Sequence, residues 1–109
     1  MTDYIKKIYD MMYSPIITPY NLLENSKLDN YVYVKYYKNN DGLITEMQCD
    51  MKEEGIKTFY YHFDSQDYLQ QIYVISNEQN KELIFERGRA IAEAKSDYYS
   101  SLPEKTIAV

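Results

Sequence analysis

Apolar and polar positions along the 109-residue chain follow two different periods. Over residues 3–13, Ile5, Ile8, Tyr9 and Met12 recur at i, i+3, i+4 and i+7, the spacing of one helix face. Asp3 suits the N-cap, and Ser14-Pro15 ends the run because proline disfavours a helical residue before it. Thr18-Pro19 repeats the start signal for a shorter helix over Tyr20–Glu24, with loop expected as far as Asn30.

From Tyr31 the period becomes two, and Val, Tyr, Phe, Thr and Ile dominate, which predicts strands at 31–38, 43–52, 57–64 and 69–76. Asn39-Asn40-Asp41-Gly42, Glu53-Glu54-Gly55 and Ser65-Gln66-Asp67 supply the turns of an antiparallel meander. Segment 77–101 admits two readings. Ser76-Asn77-Glu78-Gln79 resembles a capping box and would start one long helix, with Gly88 inside it at a cost of ~1 kcal/mol relative to alanine. The alternative is a turn at Asn77–Lys81, a fifth strand over Glu82–Arg87 and a helix over 89–101. The short apolar run Leu83-Ile84-Phe85, bounded by turn signals, favours the second. In both, Ala90, Ile91, Ala94 and Tyr98 form the buried stripe of the last helix.

The predicted fold class is α+β: a single antiparallel β-meander of four or five strands with an N-terminal and a C-terminal helix. One domain is expected over 1–109, with a helical segment at 1–30, sheet at 31–87, helix at 89–101 and a flexible tail at 102–109.

Strand alternation also assigns faces. Leu43, Thr45, Met47, Cys49 and Met51 form the inward row of the second strand. A tight Glu53-Glu54-Gly55 turn would set Cys49 opposite Phe59, Met47 opposite Tyr61 and Thr45 opposite Phe63. Val32, Val34 and Tyr36 make the more apolar row of the first strand and are expected inside. That sends Tyr31, Tyr33, Lys35 and Tyr37 to a second face, with Glu46, Gln48, Asp50, Thr58, Tyr60 and His62. In this register His62 lies across from Glu46, a neighbour that would raise its pKa.

Composition sharpens this picture. The chain has 14 tyrosines and no tryptophan, so large rings with polar tips must serve both core and surface. Periodicity assigns Tyr9, Tyr36, Tyr61 and Tyr98 to the core. Abundant Tyr, Asn, Ile and Lys with only three Gly and three Pro also matches the bias of an AT-rich genome. With 17 Asp and Glu against 12 Lys and Arg, the net charge of −5 argues against a protein that tracks a phosphate backbone. Asp50, Glu53 and Glu54 gather at one end of the second hairpin and Asp41, Asp64 and Asp67 at the other, about 25 Å apart. Lys81, Arg87, Arg89 and Lys95 are the densest basic group.

Much chemistry has no residues to carry it. Three glycines form no phosphate-cradling loop or dinucleotide fingerprint, so no cofactor is expected. One histidine with no second histidine or nearby cysteine gives no metal site, and no nucleophile elbow is present. The single cysteine, Cys49, is expected to be a buried hydrophobe in a reducing, cytoplasmic setting. No apolar run approaches the ~20 residues that cross a bilayer, and Met1-Thr2-Asp3-Tyr4 does not read as a secretory leader.

Paired carboxylates for glycoside hydrolysis stay open, because acids are plentiful and sequence does not fix their separation. A chain this small rarely builds both a cleft and a catalytic shell, so binding is favoured. The expected function is a non-enzymatic, acidic protein-binding module facing a partner with a basic surface. By analogy it resembles the small inhibitors and immunity proteins with which phages and mobile elements block nucleic-acid-handling enzymes. Tyr31, Tyr33, Tyr37, Glu46, Asp50, Glu53, Glu54, Tyr60 and His62 are the candidate contact residues. A sheet that stacks single-stranded nucleic acid on its tyrosines, or a structural homodimer with no ligand, are the alternatives.

Overall fold

The computed structural model describes residues 2–76 and 80–102. The elements are α1 (Thr2–Tyr13), α2 (Pro19–Asn25), β1 (Tyr31–Lys38), β2 (Leu43–Asp50), a 3-10 turn (Lys52–Glu54), β3 (Ile56–Phe63), β4 (Leu69–Ile75), β5 (Lys81–Glu86) and α3 (Arg87–Ser101). The strands form one antiparallel sheet in the order β1-β2-β3-β4-β5, so the chain is α+β, a five-strand meander with helices at each end.

Segment 77–101 holds the fifth strand and a helix, not one long helix. Glu86 is extended and its carboxylate accepts the Arg89 N–H, which starts α3 at Arg87, two residues earlier than predicted. Gly88 therefore sits in the first turn, where it interrupts no helix interior. Most of the Asn77–Lys81 turn, and the tail beyond Leu102, lie outside the described residues. At the other end α1 opens at Thr2, so Asp3 falls inside the first turn and not at the cap. Thr18 caps α2 as its sequence suggests: its hydroxyl accepts the Asn21 N–H at 3.3 Å, and the Asn21 side chain accepts the Thr18 N–H at 2.9 Å.

The core lies between α2 and one sheet face, where Leu22 of α2 packs with Met47, Phe63 and Leu69, all essentially without solvent contact. Val34, Leu43, Tyr61, Ile72 and Phe85 surround them. Thr45 is fully buried in the same inward row and its hydroxyl has no hydrogen-bond partner. Cys49 is buried, as its reading as a small hydrophobe requires.

Two features of the sheet correct the predicted register. The β2–β3 connection is centred one residue earlier than Glu53-Glu54-Gly55 implies: the Met51 N–H donates to the Gly55 carbonyl at 2.9 Å, and Lys52 takes φ 58°. Met47 therefore opposes Phe59, Thr45 opposes Tyr61 and Cys49 opposes Lys57. The slip is two residues, so every β3 side chain keeps its predicted face. A bulge between Tyr31 and Tyr33 has the opposite effect. It turns Tyr31 inward, opposite Cys49 and against the core, and leaves Val32 57% exposed. Gly42 closes the first hairpin so tightly against β3 that a Cβ there would collide with the Phe63 carbonyl and the Asp64 backbone 2.7 Å away.

α1 packs along α3, with the rings of Tyr4 and Tyr98 6.4 Å apart, and α3 touches the sheet only at β4 and β5 among its larger contacts. The molecule is 55 × 32 × 25 Å. An eight-residue strand spans about 26 Å, and among the described residues α1 has no strand contact comparable to its packing on α3. The joint is Arg87. Its buried guanidinium donates to the carbonyls of Leu69 (2.6 Å), Ser14 (2.8 Å) and Met11, and stacks 5.2 Å from the Tyr68 ring. The carbonyls of Met11 and Ser14 lie at the end of α1, where a helix leaves such groups without internal donors. Arg87 thus belongs to the framework and not to a basic surface patch. The Leu69 N–H to Pro15 carbonyl bond and the Tyr68 hydroxyl to Tyr13 carbonyl bond pin the same connector to β4.

Candidate functional site

The sheet face opposite α2 is built largely by the outward rows of the first four strands. Tyr33, Lys35 and Tyr37 of β1 lie beside Ile44, Glu46 and Gln48 of β2, then Thr58, Tyr60 and His62 of β3, then Gln71, Tyr73 and Ile75 of β4. Among the described residues, the side-chain hydrogen-bond and ring partners of this face lie on the sheet itself.

Glu46 is the hub. The Tyr33 hydroxyl donates to Oε2 at 2.6 Å and the Tyr37 hydroxyl to Oε1 at 2.8 Å, so each carboxylate oxygen holds one phenol. Lys35 Nζ stands 3.6 Å from Oε2 and 5.1 Å from the Tyr33 ring. Antiparallel pairing explains the assembly, because Lys35 is directly opposite Glu46 and Tyr33 and Tyr37 flank it two residues away on the same face. Tyr60 opposes Glu46 from β3. Burial works to raise the Glu46 pKa, but the two phenol hydrogen bonds and the Lys35 charge outweigh it and hold the carboxyl below its usual range. The hydrogen bond to the Glu46 carboxylate, with burial, pushes Tyr33 up to about 12. Burial first, then the same carboxylate, pushes Tyr37 up to about 12. The cluster is an ionised carboxylate locked between two neutral phenols across the neutral pH range.

His62 is not part of this hub. It opposes Ile44 across the β2–β3 pair, and its ring meets Tyr73 edge-on at 5.5 Å. The predicted His62–Glu46 pair is lost to the two-residue register slip. Its pKa moves down and not up, because burial disfavours the charged ring and the nearby Lys81 charge adds to that. Lys81 lies 4.2 Å over the Tyr73 ring.

The structure brings Tyr33, Tyr37, Glu46 and Tyr60 together and sets His62 beside them. Tyr31 is separated from them by the bulge and faces the core. Asp50, Glu53 and Glu54 border the β2–β3 turn, where Asp50 Oδ1 accepts the Lys52 N–H and Glu54 pairs with Lys57 at 2.9 Å. Lysines 52 and 57 thus interleave that acidic end. At the other end Asp41, Asp64 and Asp67 border one shallow hollow. There Asp64 is engaged by the N–H groups of Gln66 and Tyr68 and by the Gln70 amide. Among the described residues no three His, Cys, Asp or Glu side chains are placed to hold a metal ion, and no helix is long and apolar enough to cross a membrane.

One feature had no signal in the sequence. An apolar cleft of about 370 Å³ opens between α2 and β1, lined by Pro19, Tyr20, Leu23, Tyr36, Leu43 and Asp67. Tyr36, assigned to the core by alternation, stands at this cleft 36% exposed and donates to the Pro19 carbonyl at 2.9 Å. The cleft depends on where α2 crosses β1, which no local pattern encodes.

Comparison with known proteins adds no relative: no family model, no curated protein and no solved structure matches the chain.

Proposed function

We propose that this chain is a non-enzymatic protein-binding module whose contact surface is the β1–β3 part of the open sheet face. The observation that carries the reading is the Tyr33–Glu46–Tyr37 cluster. Two rings are held in place by a shared carboxylate, so little side-chain freedom is lost when they meet a partner. Tyrosines fixed in this way are favoured interface anchors, and Glu46 offers its remaining lone pairs to an arginine or lysine. With a net charge of −5, the preferred partner has a basic surface, such as the substrate groove of a nucleic-acid-handling enzyme. The module would then act as an inhibitor or immunity protein, of the kind carried by phages and mobile elements, and work in the cytoplasm.

The experiment is capture of a partner by the full chain, followed by kinetics on the purified pair. Tyr33→Ala and Tyr37→Ala should each weaken binding, association should slow steeply as salt rises, and the partner's nucleic-acid processing should be blocked. A captured protein that binds both variants as tightly as the parent, with no salt dependence, would remove this face from consideration.

A second reading has its own support in Lys35 over Tyr33 and Lys81 over Tyr73, since rings with adjacent cations suit base stacking. Titration with single-stranded oligonucleotides at low salt decides it; saturable binding lost in Tyr33→Ala would displace the protein-partner reading.

A further inference from the structure

α1 carries more apolar surface than its main neighbour, α3, can cover. At 100° per residue, Tyr4, Ile8 and Met11 point towards α3, while Met12, Ile5, Tyr9 and Tyr13 fan out over about another 100°. A helix with a single partner needs roughly 100° of apolar stripe, and α1 has about twice that. The surplus is bare: Ile5 is 47% exposed, Tyr9 62%, Met12 38% and Tyr13 59%. The rings of Tyr9 and Tyr13 pack on each other at 4.8 Å, and among the described residues neither has another aromatic partner. Across the α1–α3 seam the rings of Tyr4, Tyr98 and Tyr99 meet in turn, and Tyr4 and Tyr99 are 41% and 62% exposed.

We propose that this face of the α1–α3 pair is a homodimer interface, occupied by the same face of a second copy in a four-helix arrangement. Three observations select a second copy. The first is area: rings that bury ~150–250 Å² each, at these exposures and with Ile5 and Met12, amount to on the order of 600 Å², close to the ~800 Å² per partner of a standard interface. The second is self-complementarity. A two-fold antiparallel alignment centred between Ile8 and Tyr9 brings Ile5 of each copy to Met12 of the other. The same alignment brings Lys6 of each copy towards Asp10 of the other, two groups that now pair with each other at 3.4 Å on the rim of the patch. The third is charge: Lys6 and Lys7 balance Asp3 and Asp10, so the helix lacks the cationic excess by which an interfacial helix holds an anionic membrane. The patch lies on α1 and α3, whereas Tyr33, Tyr37 and Glu46 lie on β1 and β2, so the dimer uses none of the residues of that cluster. It holds whether or not that cluster binds a protein.

Sedimentation equilibrium of the full chain from low micromolar to several hundred micromolar tests the proposal. The parent should dimerise, and Tyr9→Lys or Ile5→Glu should raise the dissociation constant by roughly 30-fold or more. Tyr20→Lys, an equally bold change at a residue 74% exposed on α2, should leave it unchanged. Circular dichroism of the α1 variants must match the parent, as their exposed side chains allow. A parent that stays monomeric throughout, a dimer indifferent to both α1 variants, or a monomer that co-sediments with phosphatidylserine vesicles through Tyr9 would each overturn it.

Discussion

The sheet and the helical pair treat the same amino-acid types in opposite ways. In the sheet, inward apolar rows meet one another across strands and Leu22 fills the space above them, so Met47, Phe63 and Leu69 are buried. In the helical pair, α1 has a comparable apolar row and leaves half of it in solvent. The difference lies in geometry. A strand has neighbours on both sides and an opposed layer, whereas a helix buries only the arc that faces a neighbour, and α1 has mainly α3. Apolar periodicity therefore identifies a burial surface in the inner strands, fails at the edge strand β1 where Val32 is 57% exposed, and marks only a potential one in the helix.

The contrast turns on Arg87, which ties the two regions. Arg87→Met should cost about 4 kcal/mol, because three inward carbonyls lose their charged donor. Urea unfolding would measure the loss, and hydrogen exchange should show α1 losing protection before the β2 and β3 strands do. Uniform loss across both regions would mean that they are one cooperative unit. Leu22→Ala should cost about 3 kcal/mol, the usual penalty for a cavity at a fully buried leucine, whereas Tyr9→Ala on bare α1 should cost well under 1 kcal/mol at concentrations where the chain is monomeric. Equal costs would erase the comparison. Gly42→Ala should cost roughly 2 kcal/mol, since the hairpin must move away from the Phe63 carbonyl.

Smaller effects distinguish the two faces of the sheet. Tyr33 and Tyr37 have pKa values of about 12 in the fold, against an ordinary 10.0. A folded value above the unfolded one means that both phenols add stability fully below pH 10 and lose it as pH climbs towards 12. Spectrophotometric titration should find two late-ionising tyrosines. Glu46→Gln should bring Tyr33 back furthest, because the carboxylate dominates its shift, and Tyr37 less, because burial comes first there. On the inward face, Thr45→Val should stabilise by about 1 kcal/mol, since it removes a buried hydroxyl that has no partner. A loss of stability there would point to a hidden polar contact in the core.

The face of most residues was legible from alternation alone, and the reason is visible at Met47 and Glu46. Even the register error moved β3 by two residues, so parity, and with it the Tyr33–Glu46–Tyr37 face, survived. Contacts between named pairs were not legible. Glu46 found Tyr60 where His62 was expected, since a turn centred one residue earlier leaves the same pattern of polar and apolar letters. Tyr31 and Val32 exchanged faces at a bulge whose unpaired residue has no compositional mark.

Local chemistry in the chain by itself determined the elements: the Thr18-Pro19 start of α2, the period-two strands, the glycine-bearing turns and the α+β class. Those features depend on near neighbours, over which backbone sterics and hydrogen bonding act. The tertiary structure alone decided that Arg87 is a buried clamp and not a surface cation, that two phenols share one carboxylate, and that half of α1 is bare. Each of these depends on where a distant segment comes to rest. Residues 11, 14, 69 and 87 meet only because α1 and α3 converge on the start of β4.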